Sequence, residues 1–407
     1  MHGNKLRFGG DGVLKGMLGE ELDAETLLTI GSILGREGRV GLGGSHTPSG
    51  KLLVRAAAVG VAAAGGQALV HELECPVQGA WVARKEDLPV SLFVEAEPGE
   101  PVYLRFFDHR GLAPGREWQR GLEQLLAKGV NHRGERVGSL ERLELSNRLW
   151  AEEIARQAAI RRGIPRHITV AVGTRSPADR AIRGALLALG CRVEERWRPG
   201  IPAFFGSRGG FSLSAQDETG NRIEPGQLLA LLTLIEMENG GGTVAVPEDA
   251  TAAVDLVAAG YRGTVLRLER DGEEARAEYA ALPWLWSAPS AAVRICARMG
   301  TAAQKLTALM AKTPRFTARK REVPLSVRQD LVVEALAREA NWTVQGEGLR
   351  VRTGDGWVYL VPLPRRAALK VVAEGPDLEL AAELCDFYAG RAAEADRALR
   401  AQQADKK

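Results

Sequence analysis

Short runs of consecutive apolar, largely β-branched residues recur along this chain. Each is followed by a polar loop and then by a stretch with helical spacing. The first, Arg39-Val40-Gly41-Leu42-Gly43, leads to a helix predicted over 50–64, then Gly65-Gly66 and a strand starting Ala68-Leu69-Val70. The second, Ile168-Thr169-Val170-Ala171-Val172-Gly173, precedes a helix over 178–189, Gly190 and Cys191-Arg192-Val193. The third, Thr243-Val244-Ala245-Val246, precedes a helix over 249–259, Gly260 and Thr264-Val265-Leu266. Runs that do not alternate suit strands covered on both faces, and the glycine suits the left-handed residue that closes a helix. Three strand–helix–strand units in series predict three α/β domains of one kind.

Between and beyond these units the pattern predicts a helix over 24–34 and two strands, 90–94 and 102–108, around an acidic loop at 95–101. A helix over 117–128 follows, then a charged exposed run at 131–141 and an amphipathic connecting helix over 147–162. Glu238-Asn239-Gly240-Gly241-Gly242 reads as a hinge, and one helix is expected over 291–312. After a linker at 314–320 come a helix over 327–340, a hairpin over 342–352 and a strand from Gly356. The tail after Asp396 is charged and expected to fray. The predicted fold class is α/β with four domains: three α/β/α mixed-sheet domains (1–142, 143–238 and 239–320) and a C-terminal α+β domain (321–407).

Composition narrows the class. A length of 407 residues fits several domains, and 45% hydrophobic residues suffice for packed cores. The net charge of +3 in so long a chain gives no strong pull toward nucleic acid or a membrane surface, so neither is expected as a partner. No apolar run approaches the ~20 residues of a membrane span. The opening Met-His-Gly-Asn-Lys has no signal-peptide character, and a cytoplasmic location is expected. Cys75, Cys191, Cys296 and Cys385 form no CxxC and read as buried free thiols. The loop before Gly50-Lys51 fails as a P-loop, because Ser45 stands where the first glycine belongs and Leu52 where Ser or Thr belongs.

Four motifs resemble the α-D-phosphohexomutases, the family of phosphoglucomutase and phosphomannomutase. Phe8-Gly9-Gly10-Asp11-Gly12-Val13 is similar to the family's opening F-G-T-D-G-I, and Leu104-Arg105-Phe106-Phe107-Asp108 with Gly111 to its I-K-F-F-D-x-D-G strand. Asp217-Glu218 with Gly220, followed by Leu228-Leu229-Ala230-Leu231-Leu232, resembles the end of its metal loop and the next helix. Asp355-Gly356-Trp357 through Pro362, with Leu369 and Glu374, resembles its C-terminal phosphate loop. The resemblance covers nearly the whole chain and implies four domains around one cleft. It also implies transfer of a phosphoryl group between a serine, with magnesium, and a hexose phosphate.

On that alignment the chemistry is altered in every loop. Glu95 falls at the phosphoserine position, with Ala96-Glu97-Pro98 after it. Ser207, Gly209 and Phe211 fall at the three metal-binding aspartates, so no magnesium or other cofactor is expected, because a hard dication needs several anionic oxygens. The sugar-selecting loop falls on Ala281 to Ser290, where Trp284 and Trp286 offer flat faces for sugar stacking or, alternatively, core packing. The phosphate loop keeps Arg365, Arg366 and Lys370 as a candidate anion cluster, although Pro364 replaces a glycine amide. Three readings follow. One is a catalytically inactive binding or regulatory member of the family, with a sugar phosphate or other anion as ligand. The second is a rewired enzyme using Glu95, with Glu97 and Glu100 beside it. The third is a scaffold for a protein partner, marked by an exposed Trp284/Trp286 patch.

Overall fold

The computed structural model describes residues 6–159, 168–268, 272–338, 342–345, 348–354, 356–363 and 366–404. Four sheets follow one another along the chain. The first contains β1 (Val13–Gly16), β2 (Arg39–Gly44), β3 (Gln67–Val70), β4 (Val90–Glu95), β5 (Val102–Phe107) and β6 (Ser139–Arg142), in the order β1-β5-β4-β2-β3-β6. β2, β3, β4 and β6 are parallel, whereas β5 runs antiparallel to β4 and β1 to β5. Its helices are α1 (Ala24–Leu34), α2 (Pro48–Ala63), α3 (Pro76–Lys85) and α4 (Arg116–Ala127).

The strand period explains the layering. Val90, Leu92 and Val94 enter the core built with α1 and α2, while the alternate Phe93 enters the core that contains α3. Gly31, Gly35 and Gly60 let α1 and α2 approach closely: a Cβ on Gly31 would lie 2.0 Å from the Ala57 carbonyl oxygen.

The connecting helix α5 (Asn147–Ala159) leads to a second sheet. It holds β7 (Thr169–Val172), β8 (Arg192–Glu194), β9 (Ala203–Gly206), β10 (Leu213–Gln216) and β11 (Arg222–Ile223), in the order β11-β10-β9-β7-β8, with α6 (Pro177–Ala188) and α7 (Pro225–Glu238). The third unit pairs β12 (Thr243–Val246) with β13 (Thr264–Arg267) in parallel, with α8 (Ala252–Gly260), α9 (Gly272–Ala281), α10 (Ala288–Ala302) and α11 (Leu306–Met310). One hydrophobic cluster runs from Leu69 and α3 of the first unit through α5 and α6 to α10 and Leu309, which fuses the three units. The last unit is an antiparallel sheet of β14 (Thr317–Pro324), β15 (Thr343–Gln345), β16 (Gly348–Thr353), β17 (Gly356–Pro362) and β18 (Ala368–Gly375), in the order β14-β18-β17-β16-β15. It is backed by α12 (Gln329–Ala337) and α13 (Leu378–Ala404).

Several expectations change here. The helix expected over 291–312 is two helices, because Ala303 adopts a left-handed conformation (φ 52°) after α10. The linker expected at 314–320 is largely strand, since residues from Thr317 onward pair with β18. The charged run at 131–141 ends in β6, an exposed edge strand beside β3. The expected fraying tail is α13, anchored where the buried Asp396 accepts the Ser326 and Val327 amides at 2.8 and 3.0 Å. No helix among the described residues is long and apolar enough to cross a membrane.

Candidate ligand cleft

β4 ends at Glu95, which faces Tyr103 of β5 across the hairpin. Opposite residues in an antiparallel ladder, and residues two apart on one strand, share a face, so Arg105, two residues on from Tyr103, lies beside Glu95. Arg105 Nε donates to Glu95 Oε1 at 2.5 Å. Arg208, from the loop between β9 and β10, brings its Nε to 3.5 Å from Glu95 Oε2 and its Nη1 to 2.5 Å from Glu100 Oε2. The Arg208 guanidinium also lies 4.2 Å from the Tyr103 ring centroid, within cation–π range. The carboxylate is only 6% exposed, so both compensating guanidiniums matter: an uncompensated buried charge is costly. The acidic loop is fixed from behind, where Ser45 Oγ accepts the Ala96 amide at 3.0 Å and Thr47 Oγ1 donates to the Ala96 carbonyl at 2.5 Å.

The loop at 207–212 is a tight turn. Ser207 exchanges backbone hydrogen bonds with Ser212 and Gly210, and its hydroxyl accepts the Ser212 amide at 3.0 Å. The Gly209 carbonyl accepts the Val77 amide at 3.0 Å, and the Gly210 carbonyl accepts the Ala288 amide at 2.8 Å, so this turn joins the first, second and third units. Gly210 has φ +77°, and a Cβ there would meet Cys75 Sγ at 2.9 Å. Phe211 packs on Phe107, ring centroids 5.9 Å apart, with the Arg105 guanidinium 5.5 Å from its face. The nearby Cys75 thiol is pushed up to about 12 by burial, so it stays protonated and supplies no thiolate nucleophile.

The other expected positions are placed differently. Trp284 and Trp286 are buried, 5% and 6% exposed, so they form no surface patch. The Trp286 ring lies near Gly111, the Trp284 indole donates to Glu236 Oε2 at 2.9 Å, and that of Trp286 donates to the Tyr279 carbonyl at 3.2 Å. Arg365 lies outside the described residues, as do Pro364 and Asp355. Arg366 is an exposed side chain 3.3 Å from Glu322, and Lys370 reaches Asp249 of the third unit at 2.6 Å. Burial would raise the Asp249 pKa, but the Lys370 ammonium outweighs it and holds the carboxyl below its usual value. Gln329 Nε2 donates to the carbonyls of Leu363, Arg366 and Ala368, tying this loop to α12. The Asp217 and Glu218 side chains serve structure. Asp217 Oδ1 accepts the Thr219 and Asn221 amides, and Glu218 caps the start of α11 through the Leu306 and Thr307 amides.

No protein-family model matches the chain, and no curated protein matches it. Solved structures do. The chain is similar to a phosphoglucomutase/phosphomannomutase family protein of Burkholderia thailandensis, with 17% identity over 97% of this chain and 98% of that one and a TM-score of 0.77. The chain has the phosphohexomutase fold. Parafusin, a phosphoglucomutase of Paramecium solved in an open form, aligns over 92% of both chains at 9% identity and a TM-score of 0.59. The N-acetylphosphoglucosamine mutase of Aspergillus fumigatus, solved with GlcNAc-6P and magnesium, covers 97% of both chains at 8% identity and a TM-score of 0.55.

Within this phosphohexomutase fold, the residues at the metal-loop positions do not fit magnesium. Ser207 offers a hydroxyl already bonded to the Ser212 amide, Gly209 has no side chain, and Phe211 is apolar. The Gly209 and Gly210 carbonyls accept neighbouring amides. Arg208, between the first two positions, brings a cation of its own to Glu95. Among the described residues, no group of three or more His, Cys, Asp or Glu side chains could hold a metal. Sequence reasoning singled out Glu95 but missed Arg105 and Arg208. Arg105 was legible from strand alternation, because it shares the face of Tyr103, whereas Arg208 reaches Glu95 only through the docking of two units.

Proposed function

We propose that this chain is a phosphohexomutase-fold protein without mutase turnover, a binding or regulatory pseudoenzyme of carbohydrate metabolism that works without magnesium. One observation carries the reading: where the fold's relatives imply a phosphoserine facing a metal loop, Glu95 faces the Arg208 guanidinium. A fixed negative charge meets a fixed positive one. One carboxylate oxygen accepts from Arg105 and the other faces the Arg208 guanidinium at 3.5 Å, which leaves Glu95 badly placed to attack phosphorus or to shuttle a proton. This argues against the rewired-enzyme reading, and the burial of Trp284 and Trp286 argues against the scaffold reading built on them.

Sugar phosphates are the ligand class to test first, through the exposed guanidinium of Arg366 and the partly exposed Arg208. The experiment is a coupled mutase assay on glucose and mannose phosphates, with magnesium and a hexose bisphosphate activator. No turnover is expected. Robust turnover that disappears in Glu95→Ala would overturn the reading.

A further inference from the structure

A cavity of about 380 Å³ runs along α3, from Val77 at the 207–212 loop to Lys85, with α5, α7 and α10 forming its other walls. Its far end, at Arg84, is roughly 10 Å along the helix from Val77 at about 1.5 Å per residue, and none of Glu95, Glu100, Arg105 and Arg208 lines it, so it is distinct from the Glu95 cluster. The volume is that of a small-molecule site.

Three features of the lining bear on what it would hold. First, Trp81, Trp150, Trp284 and Trp286 all line it, half of the chain's eight tryptophans. Indole walls favour a flat, polarisable ring. Second, three of the four indole donors are spent within the protein: Trp81 on Glu153, Trp284 on Glu236 and Trp286 on the Tyr279 carbonyl. Trp150 Nε1 is not. Trp150 is 1% exposed and its N–H has no hydrogen-bond partner among the described residues, a costly state unless an acceptor is supplied. Third, the lining cations Arg84, Lys85 and Arg294 outnumber the carboxylates Glu153 and Glu236 by one. Lys85 is paired with Glu153 and Arg294 with Glu236, whereas Arg84 donates to a neutral group, the Ala280 carbonyl. Burial lowers the Arg84 pKa, and the Glu153 carboxylate, already paired with Lys85, offsets this only in part.

We propose that this cavity is a second ligand site that binds a small aromatic carboxylate. The ring packs on the indole walls, the single negative charge compensates Arg84, and an acceptor oxygen satisfies Trp150. The site does not depend on the mutase-like cleft or on whether that cleft turns over.

The test is isothermal titration of the full chain with 2-naphthoate, alongside its neutral amide and acetate. Saturable one-to-one binding of 2-naphthoate is expected, at least about tenfold tighter than either control, the usual worth of one charge-assisted hydrogen bond. Arg84→Met should erase the preference for acid over amide, Arg84→Lys should keep it, and Trp150→Phe should weaken the acid several-fold. Absence of saturable binding, or equal affinity for acid and amide in the unmodified chain, overturns the proposal even if a variant fails to fold.

Discussion

Arg208 Nε lies 3.5 Å from Glu95 Oε2, and the two residues belong to different units of the fold. Arg105, from the same hairpin as Glu95, completes the clamp at 2.5 Å. The two contacts should differ in weight. Arg105 is the more buried partner, so Arg105→Met strands the Glu95 carboxylate and should cost about 3 kcal/mol. Arg208 is 40% exposed, so its pair with Glu95 is screened, and a Glu95→Gln/Arg208→Met double-mutant cycle should return a coupling below about 1 kcal/mol. Denaturant unfolding checks both; an Arg105→Met effect no larger than that of Arg208→Met would refute the ranking.

Gly210 should tolerate no side chain. Its φ of +77° favours glycine, and a Cβ would meet Cys75 Sγ at 2.9 Å and a Val77 methyl at the same distance. Gly210→Ala should destabilise by about 1–3 kcal/mol and loosen the junction of the three units, seen as faster amide exchange at Val77 and Ala288. A neutral substitution would mean that the turn can re-form elsewhere.

His71 makes stability fall on mild acidification. It is buried against Gly43, its Nδ1 accepts the Leu73 amide at 3.3 Å, and its Nε2 has no partner among the described residues. Burial lowers its pKa from 6.5 to about 4. The folded state therefore resists a proton that the unfolded chain accepts. The penalty is absent above pH 6.5, grows as pH falls, and saturates near pH 4 at about 3 kcal/mol. Unfolding free energies of wild type and His71→Phe, compared from pH 7 to pH 4, should diverge by that amount, with the variant losing less. Parallel curves would contradict the assignment.

Glu218 lies in a stretch that resembles the family's metal loop, yet its role here is mechanical. Its carboxylate accepts the Leu306 and Thr307 amides at 2.5 and 3.1 Å and so starts α11 after the break at Ala303. Glu218→Ala should cost about 1–2 kcal/mol, and magnesium should not change that cost. Rescue or enhancement by magnesium would reveal a metal role.

Much of the fold was legible because burial leaves a mark on sequence. The non-alternating runs of β2, β7 and β12 are covered on both faces, and Gly65 and Gly190 take the left-handed conformation expected after α2 and α6. Edge strands leave no such mark. β6 and most of β14 are exposed, and Thr317 to Glu322 reads as polar linker because its backbone pairs with β18 while its side chains stay largely in solvent. The break at Ala303 was hidden, since alanine at a left-handed position carries no signal and the cap comes from distant Glu218. The cleft was half legible. The position of Glu95 at the end of β4 followed from the motif, but Arg208 acts across units. Trp284 and Trp286 were expected at a sugar loop, yet they line a cavity beyond α3.

The most direct test of the central claim is the intact mass of the purified protein after incubation with a hexose bisphosphate and magnesium. If Glu95 and Arg208 have replaced phosphoserine chemistry with a fixed ion pair, the mass is unchanged. A stable gain of one phosphoryl group on the chain would contradict the account.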